Sequence, residues 1–136
     1  MTTSVELSKK LYEKGLRLEK EKWWCLKGEL LAGFELVYYP NTIEGYLKQY
    51  YKEIYPAPST DELLAVMPCT IQSKDDYFAV LEIRIHNNTK DVCYCHPHYF
   101  ISGTDKSLPE ALGKMAEWLL NNGYFYDKEQ KIIRRA

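Results

Sequence analysis

Apolar positions recur at helical spacing near both ends of the chain and alternate at strand spacing between them. From Thr3 to Leu18, Leu7, Leu11 and Leu18 fall near one stripe, while Lys9, Lys10, Glu13, Lys14 and Arg17 take the opposite side. That spacing predicts an amphipathic helix, and Thr3 followed by Glu6 has the form of a capping box. The broadest apolar face runs from Leu108 to Asn121, through Ala111, Leu112, Met115, Trp118 and Leu119. Ser107 with Glu110 is placed to cap this helix, and Asn122-Gly123 to stop it.

The middle of the chain reads mainly as strands. Trp23 to Leu26 and Phe34 to Tyr39 are aromatic and β-branched runs on either side of Lys27-Gly28, which predicts a hairpin with a bulge or close approach at Gly33. Beyond Pro40, Asn41 and Glu44 have capping spacing, and Ile43, Leu47, Tyr50 and Ile54 repeat at helical intervals, predicting a helix weakened by Gly45. Pro56-Ala57-Pro58 breaks it. Ser59 with Glu62, or Thr60, opens a short helix carrying Leu63, Leu64, Val66 and Met67, which Pro68 ends.

The clearest strand runs from Tyr77 to His86, with Tyr77, Ala79, Leu81, Ile83 and Ile85 on one face and Phe78, Val80, Glu82, Arg84 and His86 on the other. Asn87 to Asp91 reads as a polar turn of four or five residues, and Val92 to Phe100 as the returning strand, with Pro97 requiring an edge or a bulge. The order α, β, β, α, short α, β, β, α predicts one α+β domain spanning residues 1–136. Its antiparallel hairpins form one sheet, with helices packed on one face in two layers. Regular strand-helix-strand crossovers, as parallel folds require, are missing.

Composition adds limits. The 136 residues, 46% hydrophobic and 27% charged, suit one folded domain, and 18 Lys plus Arg against 19 Asp plus Glu give a net charge of -1. A nucleic-acid site would therefore have to be a local patch rather than a whole-molecule attraction to phosphate. No run approaches the ~18 apolar residues that cross a bilayer, and Met1 to Lys10 has no signal-like apolar core, so a cytoplasmic protein without membrane contact is expected. Cys25, Cys69, Cys93 and Cys95 are then expected as free thiols. The anomaly is aromatic: 12 Tyr and 3 Trp exceed what a small core needs, which suits half-buried or interface positions.

Chemistry is thin by comparison. Cys93-Tyr94-Cys95-His96-Pro97-His98 gathers two thiols and two imidazoles, but on an extended strand the cysteines share one face and the histidines the other. A metal site there would need one pair plus Cys25, Cys69 or His86, with none of the spacing of a zinc knuckle. Packed thiols and surface histidines account for the same residues. No nucleophile motif surrounds any cysteine, Asp75-Asp76 and Asp61-Glu62 suit a turn and a helix start, and Lys131 to Arg135 suits a short strand or a solvated tail. No catalytic, cofactor-binding or metal residue is assigned, and no cofactor is expected.

Three longer segments, "ELSKKLYEKGLRLEKEKWW", "YYKEIYPAPSTDELLAVMP" and "SLPEALGKMAEWLLNNGYF", carry a resemblance. Their order and style are similar to small uncharacterised proteins encoded by phages and prophages of bacteria. The resemblance implies a mobile-element protein in a bacterial cytoplasm, and it brings no established activity and no catalytic residue. The cysteine–histidine cluster is not part of that pattern.

The functional expectation is a non-enzymatic protein-interaction module that binds a host or phage protein. Its contact is expected on Tyr46, Tyr50, Tyr51 and Tyr55, which crowd a predicted helix that can turn only one stripe inward. A nucleic-acid-binding accessory protein is the alternative, because Tyr and Lys interleave from Tyr46 to Lys52, and a metal-binding or thiol enzyme is the third.

Overall fold

The computed structural model describes residues 2–18, 22–26, 33–38, 51–72, 76–97 and 99–135. Its elements in chain order are α1 (Val5–Glu13), β1 (Lys22–Leu26), β2 (Glu35–Tyr38), β3 (Glu53–Pro56), α2 (Thr60–Val66), β4 (Thr70–Gln72) and β5 (Phe78–His86). There follow β6 (Thr89–His96), β7 (Tyr99–Asp105), α3 (Leu108–Asn121), β8 (Tyr124–Asp127) and β9 (Ile132–Arg135). The protein is α+β with antiparallel pairing throughout the described strands, which divide into the hydrogen-bonded sets β2-β1-β3, β4-β5-β6-β7 and β8-β9.

The terminal helix α3 organises the core. Ala111, Leu112, Met115, Ala116 and Leu119 are fully buried, packing with Leu7 and Leu11 of α1, Leu63 and Val66 of α2, Ala79, Val92 and Tyr94 of the sheet, and Ile133 of β9. Glycine makes room for two close approaches at α3, the Leu7 side chain against Gly113 of the helix and the β7 backbone at Gly103 against the helix backbone. A Cβ on Gly113 would lie 2.5 Å from Leu7 Cδ2, and one on Gly103 would lie 3.0 Å from the Ala111 carbonyl oxygen. The fully buried Tyr94 keeps its hydroxyl satisfied by donating to the Pro68 carbonyl at 2.7 Å.

Several sequence expectations need correction. The first helix is capped by Ser4, whose hydroxyl accepts from the Leu7 N–H at 3.3 Å, and it ends at Glu13 with Gly15 at a φ of 93°. Thr3 is instead fully buried, with its hydroxyl 2.5 Å from that of Ser8. Ser59 and Glu62 do form a capping box, but Ser107 makes no side-chain cap; the Glu110 carboxylate accepts from Ser4, and the Ser107 N–H donates to Asp105 instead. Met115 is fully buried, whereas Trp118 only edges the core.

The expected helix from Asn41 to Ile54 is overturned at its end: Glu53 to Pro56 form β3, because pairing with β1 satisfies their backbone better than an isolated turn. The stretch 39–50 lies outside the described residues. Pro56, which has no N–H, is accommodated because β3 lies at an edge of its set. Pro97 lies in the turn between β6 and β7 rather than inside a strand. Lys131 to Arg135, read as a short strand or a solvated tail, contains β9, whereas its hairpin partner β8 was not expected.

Candidate functional site

The hairpin β5–β6 is joined by two residues, Asn87 and Asn88, rather than the four or five expected. Asn87 takes a φ of 48°, a conformation that asparagine tolerates. His86 therefore faces Thr89, and the ladder continues through Glu82 opposite Cys93 and Val80 opposite Cys95. Because successive side chains alternate, Phe78, Val80, Glu82 and Arg84 share the outer face with Cys93 and Cys95, while Ala79, Leu81, Val92 and Tyr94 face α3.

β5 outruns its cover. Ala79 is buried and Leu81 half-buried, but Ile83 and Ile85, on the same inner face, are 39% and 69% exposed. On the outer face Phe78 and Val80 are 62% and 50% exposed. The predicted core face is thus inward only over its first half. One strand presents large apolar groups to solvent on both sides, a costly arrangement for a chain that has nothing to bury them against.

On the outer face, next to Phe78 and Val80, lies a polar cluster. The Cys95 thiol is 3.0 Å from Cys93 Sγ, and a Glu82 carboxylate oxygen lies within 4.8 Å of both sulfurs. Arg84 Nη2 donates to Glu82 Oε2 at 3.0 Å and lies 3.6 Å from Cys95 Sγ. Cys93 is buried beneath these groups and donates weakly to the Glu82 carbonyl at 3.6 Å. Burial, and then the hydrogen bond shared with the Cys95 thiol, push the Cys93 thiol up to about 12. The Glu82 hydrogen bond is the main reason the Arg84 guanidinium is held even more firmly charged. His96 is turned to the other face, where it stacks on Tyr77 with centroids 4.6 Å apart, and His98 lies outside the described residues.

Neither Cys25, Cys69 nor His86 joins the cluster; the third group is Glu82, and no sequence spacing announces it because only the strand register brings it there. Cys25 is buried in a small satellite core with Trp23 and Ile54. All four cysteines are free thiols in the structure.

Of the tyrosines expected at a partner surface, Tyr46 and Tyr50 lie outside the described residues. Tyr51 is half-buried against Trp23, Cys25 and Ile54. Tyr55 sits on a strand rather than a helical rim and is 8% exposed, edge-to-face with Tyr12 at 5.8 Å and donating to Glu53 Oε1 at 3.1 Å. Burial first, then that hydrogen bond to a carboxylate, push its hydroxyl up to about 12. Elsewhere, a cleft of about 520 Å³ beside α2 sets Arg17, Lys128 and Lys131 against Asp61 and Glu62, so opposite charges offset one another there.

No protein-family model, curated protein or solved structure matches this chain. No helix among the described residues is long and apolar enough to cross a membrane.

Proposed function

We propose that this protein is a protein-interaction module whose contact surface is β5 and the hairpin tip it forms with β6. The observation that carries this reading is the exposure of Phe78, Val80, Ile83 and Ile85 along a single strand. Phe78 and Val80 project from the outer face and Ile83 and Ile85 from the inner one, so β5 offers apolar groups on both sides, with the charged Glu82 and Arg84 following Val80 on the outer face. Apolar groups that are wet in the free protein release water when a partner covers them, and the interspersed charges set orientation more than affinity. The partner fitted by this surface is a protein presenting an apolar groove. A phosphate backbone would want a basic stripe, whereas Arg84 on this strand is already neutralised by Glu82.

The cytoplasmic phage or prophage setting belongs to the same proposal and is supported by the sequence resemblance. Tyr51 and Tyr55 contribute by holding β3 in place; the contact itself lies on β5. The test is a pair of double variants, Phe78→Ser with Ile85→Ser, and Leu36→Ser with Leu64→Ser as an exposed apolar control elsewhere. The first pair abolishes capture of the partner that the wild-type chain retains, while the second keeps it. Equal capture by the two pairs overturns the reading.

A further inference from the structure

The polar cluster in the middle of the β5–β6 face has the composition of a cation site. Cys93 and Cys95 are two residues apart on one strand, so both sulfurs emerge on one face, and the register sets Glu82 directly opposite Cys93. Two sulfurs 3.0 Å apart and a carboxylate oxygen within 4.8 Å of both are close to the donor spacing about a zinc-sized ion, where Zn–S is about 2.3 Å and Zn–O about 2.0–2.2 Å. Small side-chain rotations separate the sulfurs to the spacing that such bonds require.

The position also already carries positive charge. The Arg84 guanidinium bridges the Glu82 carboxylate and the Cys95 sulfur at 3.0 and 3.6 Å, so a cation between these two groups is what the local field favours. Its side chain is 47% exposed and has room to withdraw into solvent. Cys93, by contrast, is buried within the sheet, a preorganised donor beneath the half-buried Cys95 and the exposed Glu82.

We infer that Cys93, Cys95 and Glu82 form a binding site for a thiophilic divalent cation of the zinc class, occupied in exchange for the Arg84 guanidinium. On binding, each thiol loses its proton to solvent as its sulfur bonds to the ion, so two protons are released per ion and no electron is transferred. Three protein donors leave a fourth position, on the solvent side, for water. Soft sulfur donors favour Zn²⁺, Cd²⁺ or Co²⁺ over Mg²⁺ or Ca²⁺.

Cobalt(II) added to the reduced full-length protein tests the site, because thiolate coordination gives a sulfur-to-metal charge-transfer band in the near ultraviolet. One ion per chain, an intense band and displacement of cobalt by zinc are expected. Cys93→Ser and Cys95→Ser each weaken binding by at least about tenfold and lower the band. Glu82→Gln, at an exposed position, weakens binding about tenfold and keeps the band. Arg84→Ala tightens binding, and Cys25→Ser with Cys69→Ser changes nothing. A band that survives loss of Cys93 and Cys95, or no band in wild type and Arg84→Ala alike, overturns the proposal.

Discussion

The carboxylate of Glu110, on the terminal helix α3, accepts hydrogen bonds from both the backbone N–H and the hydroxyl of Ser4, the residue that caps α1. A side chain whose spacing suits it to cap its own helix thus ties together elements more than a hundred residues apart. It places negative charge at the N-terminus of α1, where unpaired N–H groups favour it.

Glu110→Ala should destabilise the fold by about 1.5–3 kcal/mol, the range for hydrogen bonds to charged groups, and Ser4→Ala by about 1 kcal/mol as a lost cap. Denaturant unfolding of both single variants and the double should show a shortfall from additivity of at least about 0.5 kcal/mol. Strict additivity would mean that the two residues do not act on one another.

Gly113→Ala sets helix propensity against packing. In an exposed helix the change would stabilise by up to about 1 kcal/mol, but here the new methyl meets Leu7 Cδ2 at 2.5 Å and Thr3 Cγ2 at 3.0 Å. Overpacking should win, giving a net loss of about 1–3 kcal/mol, and Leu7→Ala should relieve part of it in the double variant. A rise in thermal midpoint for the single variant would show that α1 and α3 are not in this contact.

How much of this was legible in the sequence follows from where each signal originates. The terminal helix announced itself with its boundaries because fourteen residues of uninterrupted period carry their own register. The capping roles of Thr3 and Ser107 misled because local spacing cannot know that Ser4 and Glu110 will meet. The helical repeat reaching Ile54 lost to pairing with Trp24 and Cys25, and strands of four residues such as β8 and β9 leave little alternation to read.

The candidate site depended on one turn. With a five-residue turn from Asn87 to Asp91, His86 would face Val92 and Cys93 would come opposite Ile85, on the other face of the hairpin. The observed two-residue turn puts Cys93 opposite Glu82 instead. The shared face of Cys93 and Cys95 was readable from alternation, whereas their carboxylate neighbour was not.

Asp127 gives a pH signature. Its carboxylate accepts from Arg134 Nε at 2.7 Å and from the N–H groups of Glu129 and Gln130, and these contacts, Arg134 foremost, hold its pKa below the ordinary value near 3.8. The contribution to the β8–β9 hairpin is therefore present above that ordinary value, and is lost as pH falls through the lower, folded-state value. The amide resonances of Glu129 and Gln130 should shift with a midpoint below 3.8, and in Arg134→Ala the midpoint should move up towards it. A wild-type midpoint at or above 3.8 would contradict the contact.

Thiol reactivity should follow burial. Cys69 is exposed, while Cys25 is fully buried, and burial, with a smaller effect of Glu35, pushes its thiol up to about 11. With a thiol reagent at neutral pH, mass spectrometry should find Cys69 modified first and Cys25 last, and all four modified after denaturation without reductant. Cys25 reacting as fast as Cys69 would mean that the β2-β1-β3 set opens readily.

The most direct test of the interaction reading is site-specific photo-crosslinking in the native host, with the crosslinker at position 78, 85 or 64 in turn. Phe78 and Ile85 lie on β5, and Leu64 is an exposed apolar residue on α2. Positions 78 and 85 should trap the same protein and position 64 should not. Adducts only to nucleic acid, or the same pattern from all three positions, would contradict β5 as the contact surface.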